Sequence, residues 1–269
     1  MSSKAPIGVF DSGVGGLTVA KEIIKQIPNE DIIYFGDTAR VPYGNKSKDT
    51  IINYTRQIVR FLMSKDVKAI VIACNTASAF ALDIIKNEID IPIIGVVNPG
   101  AKVAVSTTRN GNVGIIGTQG TIDSNVYSKY IGKLDAKIKV YGRACPLLVP
   151  LIEENLLDDP VTKEMARRYT EELLVYNIDT LVLGCTHYPL IKDTISQVVG
   201  GEVSLINPAY ETAKTIIEVL KENDLLNEFN KYNNHKFYVS DGSEKFKTFA
   251  KSILSCEVFE TKTVDIEKY

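Results

Sequence analysis

Two cysteines occupy matching positions in the two halves of the sequence, each at the end of a short apolar run. Cys74 follows residues 69–73, and Cys185 follows residues 180–184. Runs of aliphatic and β-branched residues of this length are typical of buried parallel strands. We therefore expect both thiols at the carboxyl edge of a sheet, which is where ligands bind in open α/β proteins.

The residues after each cysteine are small and polar, which predicts that a helix begins there. Asn75 and Thr76 follow the first thiol, whereas Thr186 and His187 follow the second and Pro189 suits a first helical turn. Dipoles at a helix N-terminus stabilise a thiolate, so we expect a lowered pKa for both thiols. His187 is one of only two histidines and is a candidate proton partner, although a lone histidine is more often structural.

Several kinds of chemistry use cysteines at the ends of strands. Zinc needs three or four ligands, whereas Cys185 and His187 supply two without a second cluster, so no metal is expected. A Cys74–Cys185 disulfide stays open if two lobes close, but a reducing cytosol disfavours it. A thiol hydrolase needs one nucleophile and leaves the other cysteine unexplained. Two thiols across a cleft suit proton abstraction from one face of a carbon and return to the other.

A glycine-rich turn follows the first predicted strand, in the segment Asp11-Ser-Gly-Val-Gly-Gly16. Such glycines let backbone amides approach an anion at the start of a helix. A dinucleotide site is weakened rather than excluded, because Thr18 replaces the third glycine while Asp37 has the spacing of a ribose carboxylate. A plain strand–helix turn explains the glycines but not Asp11 and Ser12, which favour a carboxylate at the lip of a site.

Strands and helices alternate along the chain, and the second half echoes the first. Asn-Pro pairs at 98–99 and 207–208 follow the two cysteines at similar distances, and residues 7–13 resemble residues 113–120. This pattern predicts an α/β fold of two similar lobes related by a pseudo-twofold axis, each a mostly parallel sheet flanked by helices, with the active site in the cleft between them. Predicted strands span 7–11, 32–36, 69–73, 91–97, 113–117, 138–142, 181–184, 203–206, 236–240 and 257–260.

The two Asn-Pro pairs also predict the lobe boundaries, because both are chain breakers. We expect residues 1–97 and 209–269 to form the first lobe, with Asp11 and Cys74. Residues 98–208 would form the second, with Cys185 and His187. Predicted helices include one that begins after Ser47, one at 161–176 and one at 210–223.

Composition limits the classes of protein that this chain can represent. Its 269 residues are 45% hydrophobic, with a net charge of −2 and four scattered cysteines. Such values are ordinary for a globular protein and give no electrostatic case for nucleic acid or an anionic membrane. The first residues lack the apolar stretch of a signal peptide, and no run has the length of a membrane span, so we expect a cytoplasmic protein.

Four segments give the chain a family resemblance: Gly8-Val-Phe-Asp-Ser-Gly-Val-Gly-Gly-Leu17, Tyr34-Phe-Gly-Asp-Thr38 with Pro42-Tyr-Gly44, Ala73-Cys-Asn-Thr-Ala77, and Leu183-Gly-Cys-Thr-His-Tyr-Pro189. Together they resemble the cofactor-independent amino-acid racemases, and the glutamate branch rather than the aspartate or hydantoin branches. The resemblance implies interconversion of L- and D-glutamate by two thiols, without a cofactor, to supply D-glutamate for peptidoglycan.

The same resemblance assigns roles to individual residues. Cys74 and Cys185 would be the acid–base thiols, assisted by Asp11 and His187 respectively. Glu153 is a further assisting candidate, with Glu154 or a solvated helix face as the alternative. The substrate-binding residues would be Asp11, Ser12, Tyr43, Gly44, Asn75, Thr76, Thr186 and His187.

Other functions stay open at this stage. A two-lobed protein that binds a small anion without chemistry uses the same helix termini but needs no paired thiols. A racemase of the aspartate or hydantoin branch is a second alternative. The expected partner is glutamate as a small-molecule substrate, with no nucleic acid and no membrane, and a homodimer is an open expectation.

Overall fold

The computed structural model describes residues 2–229, 234–254 and 261–269, so Cys256 and the predicted strand 257–260 lie outside the described residues. The strands are Ile7–Asp11 (β1), Ile32–Gly36 (β2), Ala69–Ile72 (β3), Ile93–Gly95 (β4), Asn112–Gly117 (β5), Lys139–Ala144 (β6), Thr180–Gly184 (β7), Ser204–Ile206 (β8), Lys236–Val239 (β9) and Thr261–Thr263 (β10). The helices are Leu17–Gln26 (α1), Lys48–Met63 (α2), Asn75–Ile85 (α3), Val97–Thr107 (α4), Gln119–Asp123 (α5), Val126–Leu134 (α6), Leu148–Glu153 (α7), Pro160–Leu174 (α8), Lys192–Val199 (α9), Pro208–Glu222 (α10) and Ser243–Ile253 (α11). Short 3₁₀ turns lie at Tyr43–Asn45, Tyr188–Ile191 and Ile266–Lys268.

The strands form two parallel sheets with the same internal order. The first sheet runs β10-β9-β2-β1-β3-β4, and the second runs β6-β5-β7-β8. The four strands β2-β1-β3-β4 therefore correspond one by one to β6-β5-β7-β8. This correspondence confirms the α/β fold with two similar lobes; the residue boundaries of the lobes stay a prediction.

Side chains alternate between the two faces of each sheet, and both faces are covered by helices. In β1, Ile7 and Val9 pack towards α1, α10 and α11, whereas Phe10 packs towards α2 and α3. In β7, Leu181 and Leu183 pack towards α8 and α9, whereas Val182 packs towards α4 and α6. Because both faces are buried, the strands are nearly continuous apolar runs, which is why the sequence identified them.

The strand register brings particular chain ends together at the carboxyl edge of each sheet. Phe10 lies opposite Ile72 in the first sheet, so the residues that follow β1 lie beside those that follow β3. Gly117 lies opposite Gly184 in the second sheet, so Thr118 emerges beside Cys185. Strand pairing alone therefore positions two short polar segments in each lobe.

Two local predictions are wrong. The Asn98-Pro99 pair is not a break, because it lies in the first turn of α4, where proline has no hydrogen bond to lose. Cys185 is followed by the 3₁₀ turn Tyr188–Ile191 and not directly by an α-helix, which begins only at Lys192. The predicted cap of α2 is confirmed, since Ser47 accepts a hydrogen bond from the Thr50 N–H at 3.3 Å.

Among the described residues, no helix combines the length and apolar character that crossing a membrane requires.

Candidate active site

A cavity of about 330 Å³ lies at the carboxyl ends of strands from both sheets. This volume is at the small end of the range for sites that bind small molecules. Eleven of the residues singled out from the sequence line it: Ser12, Tyr43, Gly44, Cys74, Asn75, Thr76, Glu153, Glu154, Cys185, Thr186 and His187.

The first thiol belongs to the N-cap residue of α3. Cys74 follows β3 and is 6% exposed, and its sulfur accepts a hydrogen bond from the Ala77 N–H at 3.5 Å. Its thiol donates to the Ser12 hydroxyl, 3.8 Å away. The small residues after β3 thus place this sulfur at a helix N-terminus, as the sequence predicts.

The expected lowering of the pKa of Cys74 is wrong. Burial, followed by the charge of Asp11, raises the pKa of this thiol to about 12. The hydrogen bonds from Ala77 and with Ser12 act in the opposite direction but are weaker. Burial and a nearby carboxylate thus raise the pKa of Cys74 more than the helix N-terminus lowers it.

Asp11 is completely buried and does not line the cavity directly. It accepts hydrogen bonds from the Gly13 N–H at 3.1 Å and from the Thr186 hydroxyl at 3.4 Å. Burial raises the pKa of Asp11, and the nearby His187 partly opposes this effect. The carboxylate therefore sits between the two lobes, because Thr186 belongs to the segment after β7.

The second thiol has a different set of neighbours. The Cys185 sulfur lies 3.8 Å from His187 Nδ1, and His187 Nε2 lies 3.0 Å from Glu153 Oε1 at the end of α7. Of the two adjacent glutamates, Glu153 is thus the one that contacts the histidine. The three side chains form a series of polar contacts from the sulfur to a carboxylate. Such a series allows a proton to move between them.

His187 remains protonated to a high pH despite its position. Burial disfavours its charged form, but hydrogen bonds with Cys185 and Glu153 and the charge of Asp11 prevail, and its pKa rises to about 10. The hydrogen bond from His187 in turn lowers the pKa of Glu153. The histidine therefore places a positive charge beside the Cys185 sulfur.

Close contacts between the lobes explain two glycines in the predicted motifs. A Cβ on Gly15 would lie 2.4 Å from His187 Nδ1, and a Cβ on Gly44 would lie 2.8 Å from Thr118 Cβ. The Thr18 hydroxyl also donates to the Thr186 carbonyl at 2.9 Å. These glycines let the segments after β1 and β2 pack against the second lobe. The dinucleotide interpretation lacks support here, because Asp37 accepts hydrogen bonds from the Tyr43 hydroxyl and from Arg40.

Comparison with known proteins identifies the family to which this sequence is related. A profile of the Asp/Glu/hydantoin racemase family matches residues 7–216. The chain belongs to the Asp/Glu/hydantoin racemase family. It is 48% identical over 261 residues to the glutamate racemase of Geobacter metallireducens, covering 97% of both chains. It is 44% identical over 262 residues to that of Oceanobacillus iheyensis, covering 96% of this chain and 94% of the other.

Solved structures of this racemase family superpose closely on the chain. A glutamate racemase isoform from Bacillus anthracis matches with a TM-score of 0.94 and 40% identity, covering 98% of both chains. A glutamate racemase from Francisella tularensis in complex with D-glutamate matches with a TM-score of 0.93 and 41% identity. That match covers 99% of this chain and 100% of the other.

Sequence reasoning missed several residues of this racemase cavity, among them Thr118 and Cys145. Thr118 lines it, and its hydroxyl lies 2.8 Å from that of Thr76 and 3.0 Å from that of Thr121. The internal repeat could have found Thr118, because the segment that contains it echoes the segment around Ser12. Cys145 also lines the cavity, where burial raises the pKa of its thiol. No pattern around Cys145 identified it beforehand.

Apart from His187, the donors that the cavity offers to an anionic ligand are uncharged. Among the described residues, neither lysine nor arginine lines it, and its polar groups are hydroxyls, amides, carboxylates and the histidine. No cluster of three His, Cys, Asp or Glu side chains arranged for a metal ion occurs in the described ranges. Carboxylates of a ligand would therefore meet Asn75, threonine hydroxyls and the backbone N–H groups that begin α3.

Proposed function

We propose that this protein interconverts L- and D-glutamate by moving the α-proton between Cys74 and Cys185. The observation that carries the proposal is that two thiols, from equivalent strand ends of two similar lobes, line one small cavity. Relatives of nearly full length that are 43% to 48% identical bear the name glutamate racemase, which supports glutamate as the substrate.

Each direction of the reaction would use the two sulfurs in opposite roles. One thiolate removes the α-proton from Cα, and the C–H electron pair moves into the adjacent carboxylate to give an enolate-like species. The other thiol then donates its proton to the opposite face of Cα, which inverts the centre. By family resemblance, Cys74 removes the proton of D-glutamate and Cys185 removes that of L-glutamate.

The charges around the two thiols agree with a reaction that begins from L-glutamate. The raised pKa of Cys74 keeps this thiol protonated, as a proton donor must be. His187, whose pKa is raised, lies 3.8 Å from the Cys185 sulfur and places positive charge beside it. In the reverse direction Cys74 must lose its proton, and the α-ammonium of bound D-glutamate supplies a positive charge that eases this loss.

The extra charge of the enolate-like species needs donors that are already in place. Asn75, Thr76 and Thr118 line the cavity, and α3 begins at Asn75. Fixed donors in a cavity that excludes water interact strongly with charge that develops during a reaction. We assign substrate binding to Ser12, Tyr43, Gly44 and Thr186 as well, and assistance to Asp11, His187 and Glu153.

We further propose that the enzyme works without a cofactor in the cytoplasm and supplies D-glutamate for peptidoglycan. D-glutamate is an uncommon isomer, and a dedicated racemase gives a route to it from L-glutamate. A homodimer stays a prediction.

Polarimetry of the purified protein with L- or D-glutamate tests the proposal. After dialysis against a chelator and with no cofactor added, both enantiomers should reach the same racemic end point. Alanine and aspartate should react far more slowly, because they leave buried donors unpaired. Tight binding of glutamate without loss of rotation would instead indicate an anion-binding protein, and comparable kcat/KM for aspartate would indicate another branch of the family.

A further inference from the structure

Tyr127 connects the surroundings of the two thiols although it touches neither sulfur. It lies in the first turn of α6 in the second lobe and is 3% exposed. Its hydroxyl donates a hydrogen bond to Asn75 Oδ1 at 2.8 Å. A Cβ on Gly184 would lie 3.4 Å from its ring. The side chain therefore lies against the residue before Cys185 and bonds the residue after Cys74.

The hydrogen bond decides which end of the Asn75 amide is free. The oxygen is occupied by the Tyr127 hydroxyl, whereas the amide nitrogen has no protein acceptor within the described part of the chain. Asn75 is 4% exposed and lines the cavity. An asparagine amide rotates readily between two opposite orientations, so the partner of its oxygen fixes the direction of its NH₂ group.

The orientation matters because the proposed ligand is a dicarboxylate. An NH₂ group attracts a carboxylate oxygen, whereas a reversed amide would present its own oxygen and repel it. Burial raises the pKa of Tyr127, and the charge of Cys185 adds to this effect, so the phenol stays protonated and remains a donor.

We propose that Tyr127 is a positioning residue for glutamate, which holds the Asn75 amide with its NH₂ group available to a substrate carboxylate. The inference rests on the proposed function and adds to it a residue of α6 that lies outside the cavity lining. Because Tyr127 belongs to the second lobe and Asn75 to the first, the correct amide orientation also requires that the two lobes are packed together.

Tyr127→Phe tests the inference, because it removes only the hydroxyl and keeps the buried ring. Loss of one neutral hydrogen bond should lower kcat/KM for L- and D-glutamate about 5- to 10-fold, mainly through KM. Tyr130→Phe is a matched control, since Tyr130 lies on the same helix and is near Asp83 of α3, which does not line the cavity. The control should retain wild-type kcat/KM.

The double variant decides whether Tyr127 acts through Asn75. In the Asn75→Ala background, Tyr127→Phe should cause no further loss of kcat/KM, since the amide is gone. An equal loss in both backgrounds, or an unchanged kcat/KM in Tyr127→Phe, would overturn the role. Thermal unfolding of each variant shows whether a loss of activity merely follows a loss of fold.

Calorimetric binding of glutamate separates this inference from the proposed function. If Tyr127→Phe is too unstable for steady-state assays, its Kd for glutamate at low temperature should still exceed the wild-type value about 5- to 10-fold. An unchanged Kd overturns the positioning role alone. A wild-type protein that binds glutamate but does not racemise it contradicts the proposed function and leaves the Kd comparison decisive for Tyr127.

Discussion

The two cysteines differ in their surroundings much more than their sequence contexts indicate. Cys74 caps an α-helix, shares a hydrogen bond with the neutral Ser12 and lies near the buried Asp11, and its pKa is raised. Cys185 precedes only a 3₁₀ turn and lies beside His187, which carries a raised pKa. One sulfur therefore has negative charge nearby, and the other has positive charge nearby.

This contrast gives a reason for a duplicated fold with unequal lobes. Two-base racemisation needs one thiolate and one thiol at the same time, and identical surroundings would give both sulfurs the same protonation state. The two similar sheets supply two sulfurs that line the same cavity. The buried Asp11 near Cys74 and the His187–Glu153 pair beside Cys185 give the two sulfurs different surroundings.

The largest effect is expected from Cys74→Ser or Cys185→Ser, each of which should lower racemisation by more than about 10⁴-fold. A hydroxyl is far less acidic than a thiol and cannot serve as the base. For the wild type in D₂O, the product should carry solvent deuterium at Cα, while recovered substrate stays largely unlabelled. NMR of both pools measures this distribution.

Two outcomes would contradict the pair of thiols. Wild-type activity in either serine variant would leave that sulfur without a role. Product that keeps its original α-proton would indicate a single base on one face. Cys145→Ser is the matched control, because this third thiol also lines the cavity but has no proposed role in proton transfer.

The next effect is expected from His187→Asn, which should lower kcat/KM about 10³-fold. Thermodynamics requires an equal decrease of kcat/KM in both directions, so the preference for Cys185 should appear in kcat and in the primary isotope effects. The isotope effect for L-glutamate, whose proton Cys185 is proposed to remove, should change more than that for D-glutamate. Steady-state assays with α-deuterated substrates measure it.

Glu153→Gln and its matched control Glu154→Gln test whether Glu153 acts through His187. Glu153 contacts His187 whereas Glu154 does not, so only the first substitution should reproduce part of the His187→Asn defect. Near-wild-type rates with equal isotope effects in His187→Asn would reduce the histidine to a structural role.

A smaller effect, about 10²-fold in kcat/KM, is expected from Asp11→Asn if the carboxylate assists proton transfer at Cys74. The same change should raise Tm at neutral pH, because burial raises the pKa of Asp11 and the charged form therefore costs stability. The folded state binds this proton more tightly than the unfolded state. The gain in Tm over wild type should thus shrink as the pH falls through the raised pKa towards 3.8.

The alternative for Asp11 gives an opposite kinetic result. If its charge only raises the pKa of Cys74, its removal should make this thiol easier to deprotonate and should increase kcat for D-glutamate. Calorimetry across pH and stopped-time polarimetry of the same preparation separate the two cases.

Much of the fold could be predicted from the sequence, because buried parallel strands are apolar runs and polar residues follow their ends. This pattern predicts Asp11, Cys74 and Cys185 at strand ends, and the structure places them there. The pKa of Cys74 could not be predicted, since it depends on burial and on a carboxylate 63 positions earlier in the chain.

Tertiary contacts within the second lobe were the other part that sequence reasoning could not supply. Thr118 is the counterpart of Ser12 in the internal repeat, and it lies beside Cys185 as Ser12 lies beside Cys74. Its position next to Cys185 follows from the strand pairing of β5 with β7. Glu153 could not be separated from Glu154, because only the packing of α7 against the His187 segment distinguishes them. Local patterns identify strand ends, whereas strand pairing and helix packing determine which side chains meet.

The smallest effect is expected from Ser12→Ala, which removes the hydroxyl that accepts a weak hydrogen bond from the Cys74 thiol at 3.8 Å. A neutral hydrogen bond contributes about 1 kcal/mol, which corresponds to about a fivefold decrease in kcat/KM. Since Ser12 contacts the first sulfur alone, kcat for D-glutamate should fall more than kcat for L-glutamate. Ser106→Ala, on the exposed side of α4, is the control and should leave both values unchanged. A loss equal to that of Asp11→Asn, or equal changes in both directions, would mean that the two thiols are less independent than their surroundings indicate.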